Sequence, residues 1–221
     1  MTVIIGGIVG LLTSFVVASD VYLNVLKPFD GMEIIGILLY YLGFALVFAF
    51  VSLAGFLAYL FIHRFGIGIF HSFWPYVQMM VLVLAVFDIL YFSNKDILLS
   101  HRIMIVIVLI VASIIVAYIK MKQTNKTGFI PAMFFMVVVT TLELTLGLRT
   151  SSMDYIIIIL VTLLATNSYQ LISWHHVTKV DPEHAKRIAE RRKARREKIE
   201  KAKRERLKKE QKQLKTKNDK K

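Results

Sequence analysis

Apolar residues along this chain do not alternate or recur on one face; they run. Six stretches are nearly continuous in Leu, Ile, Val, Phe, Ala and Met: about Thr2–Ala18, Ile34–Ile62, Tyr76–Phe92, Ile103–Ile119, Phe129–Leu148 and Tyr155–Trp174. Such runs are too long for buried strands, and they approach the roughly 17–25 apolar residues that carry a helix across a bilayer. The pattern therefore predicts an all-α, polytopic transmembrane helix bundle of about six spans, occupying residues 1–176. From residue 177 to 221 the pattern inverts, and charged residues dominate to the end of the chain.

The polar and small residues that interrupt the runs carry most of the local information. In the first run Gly6, Gly10, Ser14 and Ala18 recur every fourth residue. This gives one helix face narrow enough for another helix backbone to approach closely, and packing is its simplest reading. The same run resembles the apolar part of a secretory signal, with Val17-Ala18-Ser19 as a cleavage-like region. No basic residues precede it, so it is expected to be retained, or the true start to lie upstream. A net acidic loop with Asp20, Lys27, Pro28, Asp30 and Glu33 follows.

The second run is longer than a bilayer needs, so it must tilt, kink or project. Gly66 and Gly68 are expected to break it, and Phe65, Phe70, Phe73 and Trp74 to rest at headgroup level. Pro75 and Pro131 suit the first turns of the third and fifth spans. The sixth run carries a polar stripe, Thr162, Thr166, Gln170 and Ser173, with Asn167 and Tyr169 beside it.

Charge changes the picture by orienting it. The formal net charge is +13, and the segment from His175 onward carries nearly all of it. With six spans both termini share one side. The positive-inside rule makes that side cytoplasmic, because Arg64, Lys120, Lys122 and Lys126 then join the tail. Asn125-Lys126-Thr127 matches a glycosylation pattern but falls on that inner side, so it is discounted.

The tail is predicted to be helical. Asp181 caps it, Pro182 takes the first position, and acid-first pairs such as Glu197–Lys201 recur at spacing four. Arg191, Arg192, Lys193, Arg195 and Arg196 are candidate contacts for anionic lipid headgroups. The tail lacks aromatic residues to stack on bases, which argues against nucleic acid as a partner. Its apolar positions sustain no heptad for a coiled coil.

Candidate chemistry is sparse. Asp88 and Glu143 are acids inside predicted spans, where a charge is costly and marks a functional candidate by default. Each lies a few residues below the expected outer boundary, so the two could share a layer, with Arg102 or Arg149 as partners. A proton-linked or ligand-sensing site competes there with a structural reading, buried polar pins that fix helix packing. Asn167 and Gln170 join them as candidate intramembrane polar residues. The chain has no cysteine, no HExxH, no GxSxG and no phosphate-binding glycine loop. Zinc proteolysis, serine hydrolysis and ATP hydrolysis are thus unsupported. The adjacent His175 and His176 point about 100° apart on a helix and read as interfacial residues, not as a metal clamp. No cofactor or metal is expected.

Three stretches are specific as strings: SLAGFLAYLFIHRFGIGIFHSFWPYVQ (Ser52–Gln78), AYIKMKQTNKTGFIPAMFFMVVVTTLE (Ala117–Glu143) and LLATNSYQL (Leu163–Leu171). Together they resemble the KinB-signalling pathway activation protein family (KbaA), six-span membrane proteins of spore-forming bacilli. The resemblance covers roughly Glu33–Trp174, with departures at both ends: an abrupt start at span 1 and a basic tail longer than the family pattern. It implies a non-enzymatic protein of the bacterial plasma membrane, needed to activate a membrane sensor histidine kinase that feeds the sporulation phosphorelay. It implies no catalytic or ligand residues. Helix–helix contact within the bilayer, through the small-residue face of span 1 and the polar stripe of span 6, is the mechanism expected on that reading. The alternative is a substrate-binding subunit of a small-molecule transporter, with Asp88, Glu143, Asn167 and Gln170 lining its site.

Overall fold

The computed structural model describes residues 1–26, 29–91, 97–148 and 152–177. The chain divides into two units, Met1–Val177 and Thr178–Lys221. The second, with Arg191, Arg192, Lys193, Arg195 and Arg196, lies outside the described residues, as do Lys27, Pro28 and Arg149. Among the described residues the secondary structure is helical, with no strands. Helices α1 (Thr2–Val17) and α2 (Ser19–Val25) meet at a 75° bend. They are followed by α3 (Gly31–Phe70), α4 (Trp74–Tyr91), α5 (Leu99–Gln123), α6 (Phe129–Phe134), a π-helical turn (Phe135–Val139), α7 (Thr140–Gly147) and α8 (Met153–Val177).

Four stretches are long and apolar enough to cross a bilayer: Gly31–Tyr91, Leu99–Gln123, Phe129–Gly147 and Met153–Trp174. The bent α1–α2 pair, taken together, makes a fifth. The first stretch reverses within itself. His63 Nδ1 accepts from Trp74 Nε1 at 3.1 Å and lies 3.4 Å from Gln78 Nε2. Residues 63 and 78 would stand about 22 Å apart along a straight helix, so α4 must return alongside α3.

The reversal corrects the expected break at Gly66 and Gly68. Helix α3 continues through both to Phe70, and the chain turns at His71, whose φ is 47°. Gly66 is buried against the face of the Trp74 indole, where a Cβ would collide with the ring. The glycine thus serves close packing between α3 and α4, and Trp74 is buried at 6% exposure. Phe65, Phe70 and Phe73 do remain exposed. At 40 residues α3 is about 60 Å long and unbroken, against a hydrocarbon core of about 30 Å, so tilt or projection takes up the excess.

Helix ends also differ from the ends of the apolar runs, because a helix continues through polar residues that no longer belong in lipid. Asp20 and Glu33, expected in a loop, are helical. Asp30 caps α3, its carboxylate accepting from Met32 N at 2.9 Å and Glu33 N at 3.2 Å. His101, Arg102, Lys120 and Lys122 all lie within α5.

The core forms where α3, α4, α5, the α6–α7 rod and α8 converge. Leu109, Phe135, Met136, Val137, Leu144, Ile156 and Leu163 are wholly buried there. A third cluster joins α1 and α2 to the start of α8 through Tyr22, Tyr41 and Ile158.

Candidate functional site

Helix α1 settles into the bundle through its smallest residues. Gly6 and Gly10 are buried, and a Cβ on either would collide with Ala49 or Ala45 of α3. The same added atoms would stand 2.8 Å from Thr166 Cγ2 and 2.7 Å from Thr162 Oγ1 of α8. Ser14 continues the line. Its hydroxyl donates to Leu11 O at 2.7 Å and receives the Tyr22 hydroxyl at 2.8 Å. Thr162 and Thr166 turn their own hydroxyl protons back to Ile158 O and Thr162 O. The small stripe of α1 and the threonines of α8 thus occupy one another inside this chain.

One turn further along α8 the packing becomes polar. Asn167 is fully buried and joins three helices. Its Oδ1 accepts from Ser52 Oγ of α3 at 2.8 Å. Its Nδ2 donates to Thr140 Oγ1 at 2.9 Å and to Glu143 Oε2 at 2.7 Å, both on α7. Gln170, on the same face of α8, donates to Ser52 Oγ at 2.7 Å. The amide spends both Nδ2 protons and one oxygen on neighbours, which is what a side chain in hydrocarbon must do. Glu143 Oε1 and Gln170 Oε1 are buried without a hydrogen-bond partner among the described residues. Glu143 Oε1 packs on Gly55, where a Cβ would collide with it, so glycine makes room for the carboxyl.

The π-helical turn aims this cluster. Such a turn puts an extra residue into the helical repeat and rotates the faces of the next helical turns. Here Phe135–Val139 is buried throughout and leads directly into Thr140 and Glu143. After the turn, Thr140, Glu143, Leu144 and Gly147 are buried, while Leu142 and Leu146 are largely exposed.

Asp88 stands on the other side of α7. It is half-buried in an open cleft of about 480 Å³, lined also by Val81, Leu84 and Phe87 of α4 and by Val138, Thr141 and Leu142. Because Leu142 and Glu143 are sequence neighbours, the two acids sit at neighbouring levels, but they face apart and do not form a pair. Arg102 is not their bridge: its guanidinium donates to Ile97 O at 3.0 Å and Leu90 O at 3.3 Å, which ties down the end of α4. Among the described residues no group of three His, Asp or Glu side chains could hold a metal ion.

The helical unit also has counterparts among known proteins. The family described as KinB-signalling pathway activation in sporulation matches residues 6–177. This chain belongs to that family. The match takes in α1 from Gly6 onward, so it extends beyond the expected Glu33 boundary. It ends where the helical unit ends, at Val177, and leaves the basic tail outside. A curated relative is the KinB-signaling pathway activation protein of Bacillus subtilis (strain 168). It is 29% identical over 175 residues, covering 76% of this chain and 88% of the relative. No solved structure gives a significant match.

Proposed function

We propose that this family member is a non-enzymatic, multi-pass protein of the bacterial plasma membrane that promotes activation of a KinB-type sensor histidine kinase on the route to sporulation. The observation that carries the reading is the family match across the whole helical unit, together with a relative whose name states that role. Six crossings with both termini cytoplasmic accompany it. The reversal at His71 divides the 61-residue apolar stretch into two antiparallel rods, which supports that count. Lys120 and His63 meet at one end of the bundle, and Tyr40 and Tyr155 meet at the other, as alternating rods require.

The contact surface must differ from the one the sequence suggested. The small face of α1 and the polar stripe of α8 are used up inside this chain, so neither is available to a kinase helix. The Asp88 cleft between α4 and α7 is our candidate instead. The carboxylate in this apolar cleft has no donor among the described residues, and a transmembrane helix carrying one would supply it. The transport alternative draws little from the geometry. Glu143, Asn167 and Gln170 do not line the cleft that holds Asp88, and Asp88 faces away from them. The basic residues Arg191–Arg196 complete the proposal as contacts for anionic lipid on the cytoplasmic face.

Removing this protein should lower phosphorelay output in cells that contain the partner kinase and leave it unchanged in cells that lack the kinase. An equal loss of sporulation in both backgrounds would reject the kinase as the route.

A further inference from the structure

We infer that a second site, at the end of the bundle where α3, α5, α6 and α8 meet, binds a phosphate-class anion. The inference is independent of the signalling assignment and concerns a cavity of about 260 Å³ at that end. Its lining includes Tyr59 and His63 of α3, Lys120 of α5, the connecting residues Asn125 and Thr127, and Pro131 of α6.

The argument is a count of donors and acceptors. Lys120 is buried at 9% exposure, and its ammonium donates to Leu171 O of α8 at 2.6 Å. An ammonium has three protons and no lone pair, so two donors remain, and no carboxylate lines the cavity among the described residues. His63 adds a third. Trp74 Nε1 can only donate, so Nδ1 of His63 must accept, and a neutral imidazole then carries its proton on Nε2. The carbonyl and amide oxygens of the lining each take one bond already. Pro131 O takes the Tyr59 hydroxyl, Lys120 O takes Thr124 Oγ1, and Asn125 Oδ1 takes Thr127 Oγ1. Asn125 keeps its amide protons at the exposed rim. The cavity thus presents a buried cation and several spare donors, with neutral oxygens as the only acceptors among its described lining residues.

A buried cation without a counter-ion is costly, and an anion with several acceptor oxygens resolves both deficits. The volume is below the roughly 300–1,000 Å³ of pockets that enclose whole small molecules, which fits a headgroup or small ion better than a larger ligand. Lys120 lies one turn from the end of α5, close to where an apolar run gives way to polar residues and where bilayer phosphates would stand. The phosphate belongs either to an anionic phospholipid or to a free small ion.

The full chain is purified and reconstituted in nanodiscs of phosphatidylglycerol or of phosphatidylcholine, and lipids retained after detergent release are counted by native mass spectrometry. A parallel arm follows thermal protection by inorganic phosphate in detergent. Wild type should retain phosphatidylglycerol over phosphatidylcholine. Lys120→Gln should weaken that retention about tenfold or more, and Lys120→Arg should keep most of it. Because Lys120→Gln also removes the bond to Leu171 O, the rim variant Asn125→Ala is run beside it and should show a smaller loss with the fold intact. Neutralising Arg191, Arg192, Lys193, Arg195 and Arg196 together should leave the Lys120-dependent retention in place. Phosphate protection that depends on Lys120, without lipid retention, would support the site and assign it to a free ion. Folded Lys120→Gln and Asn125→Ala proteins that match wild type in both arms would overturn the proposal.

Discussion

Glu143 and Asp88 stand at neighbouring levels on opposite sides of α7, and their surroundings differ in kind. Glu143 is 5% exposed, is held by Asn167 and packs against Gly55. Asp88 is half-buried in an open apolar cleft, with no hydrogen bond or ion pair among the described residues. A polar group inside a bundle finds most of its partners in its own chain and fixes which helices meet at which level. A polar group on the bundle's outer side is left for something else to satisfy. The same residue class at neighbouring levels thus fits two readings, fold for Glu143 and, as proposed, recognition for Asp88, and burial is what separates them.

The largest effect should come from breaking the inner side. Asn167→Leu removes the bonds to Ser52, Thr140 and Glu143 together. Side-chain hydrogen bonds in membrane bundles average about 0.6 kcal/mol with a maximum near 1.7, so the loss should be on the order of 2–5 kcal/mol. Thermal unfolding in detergent, read beside steady-state abundance in the membrane, checks it; an unchanged melting temperature would remove the cluster from the account of the fold.

A smaller loss, about 1–3 kcal/mol, is expected for Gly10→Val, because the added carbons must push α1 away from Ala45 and Thr162. The fall in melting temperature in detergent reads it, and an unchanged value would remove the small face of α1 from the packing.

How far the sequence foretold these contacts depends on what kind of contact each one is. The apolar runs located the helices, because lipid leaves a helix few alternatives for its backbone groups. The spacing of Gly6, Gly10 and Ser14 marked a close-packing face but not its partner, since any helix backbone fits such a groove. Asn167 and Gln170 were visible as polar residues in an apolar run. Ser52, Thr140 and Gly55 were not, because small hydroxyls and glycines are ordinary in membrane helices until a neighbour's position is known. The π-helical turn leaves no mark in FMVVV, and without it the register between Pro131 and Glu143 cannot be counted at regular helical spacing. Gly66 was misread for a related reason: a glycine reads as a helix breaker unless the Trp74 ring that fills its place is known to be there.

Asp88→Asn should have the smallest effect on stability, within about 0.5 kcal/mol, because no bond among the described residues depends on the carboxylate. It is also the variant that tests the central claim most directly. The measurement is phosphorelay output per molecule of membrane-inserted protein, in cells that contain the kinase. The account predicts that Asp88→Asn lowers output at unchanged abundance, whereas Asn167→Leu lowers output only in proportion to the protein lost. Wild-type output from Asp88→Asn at normal abundance would contradict the assignment of recognition to the outer side of α7.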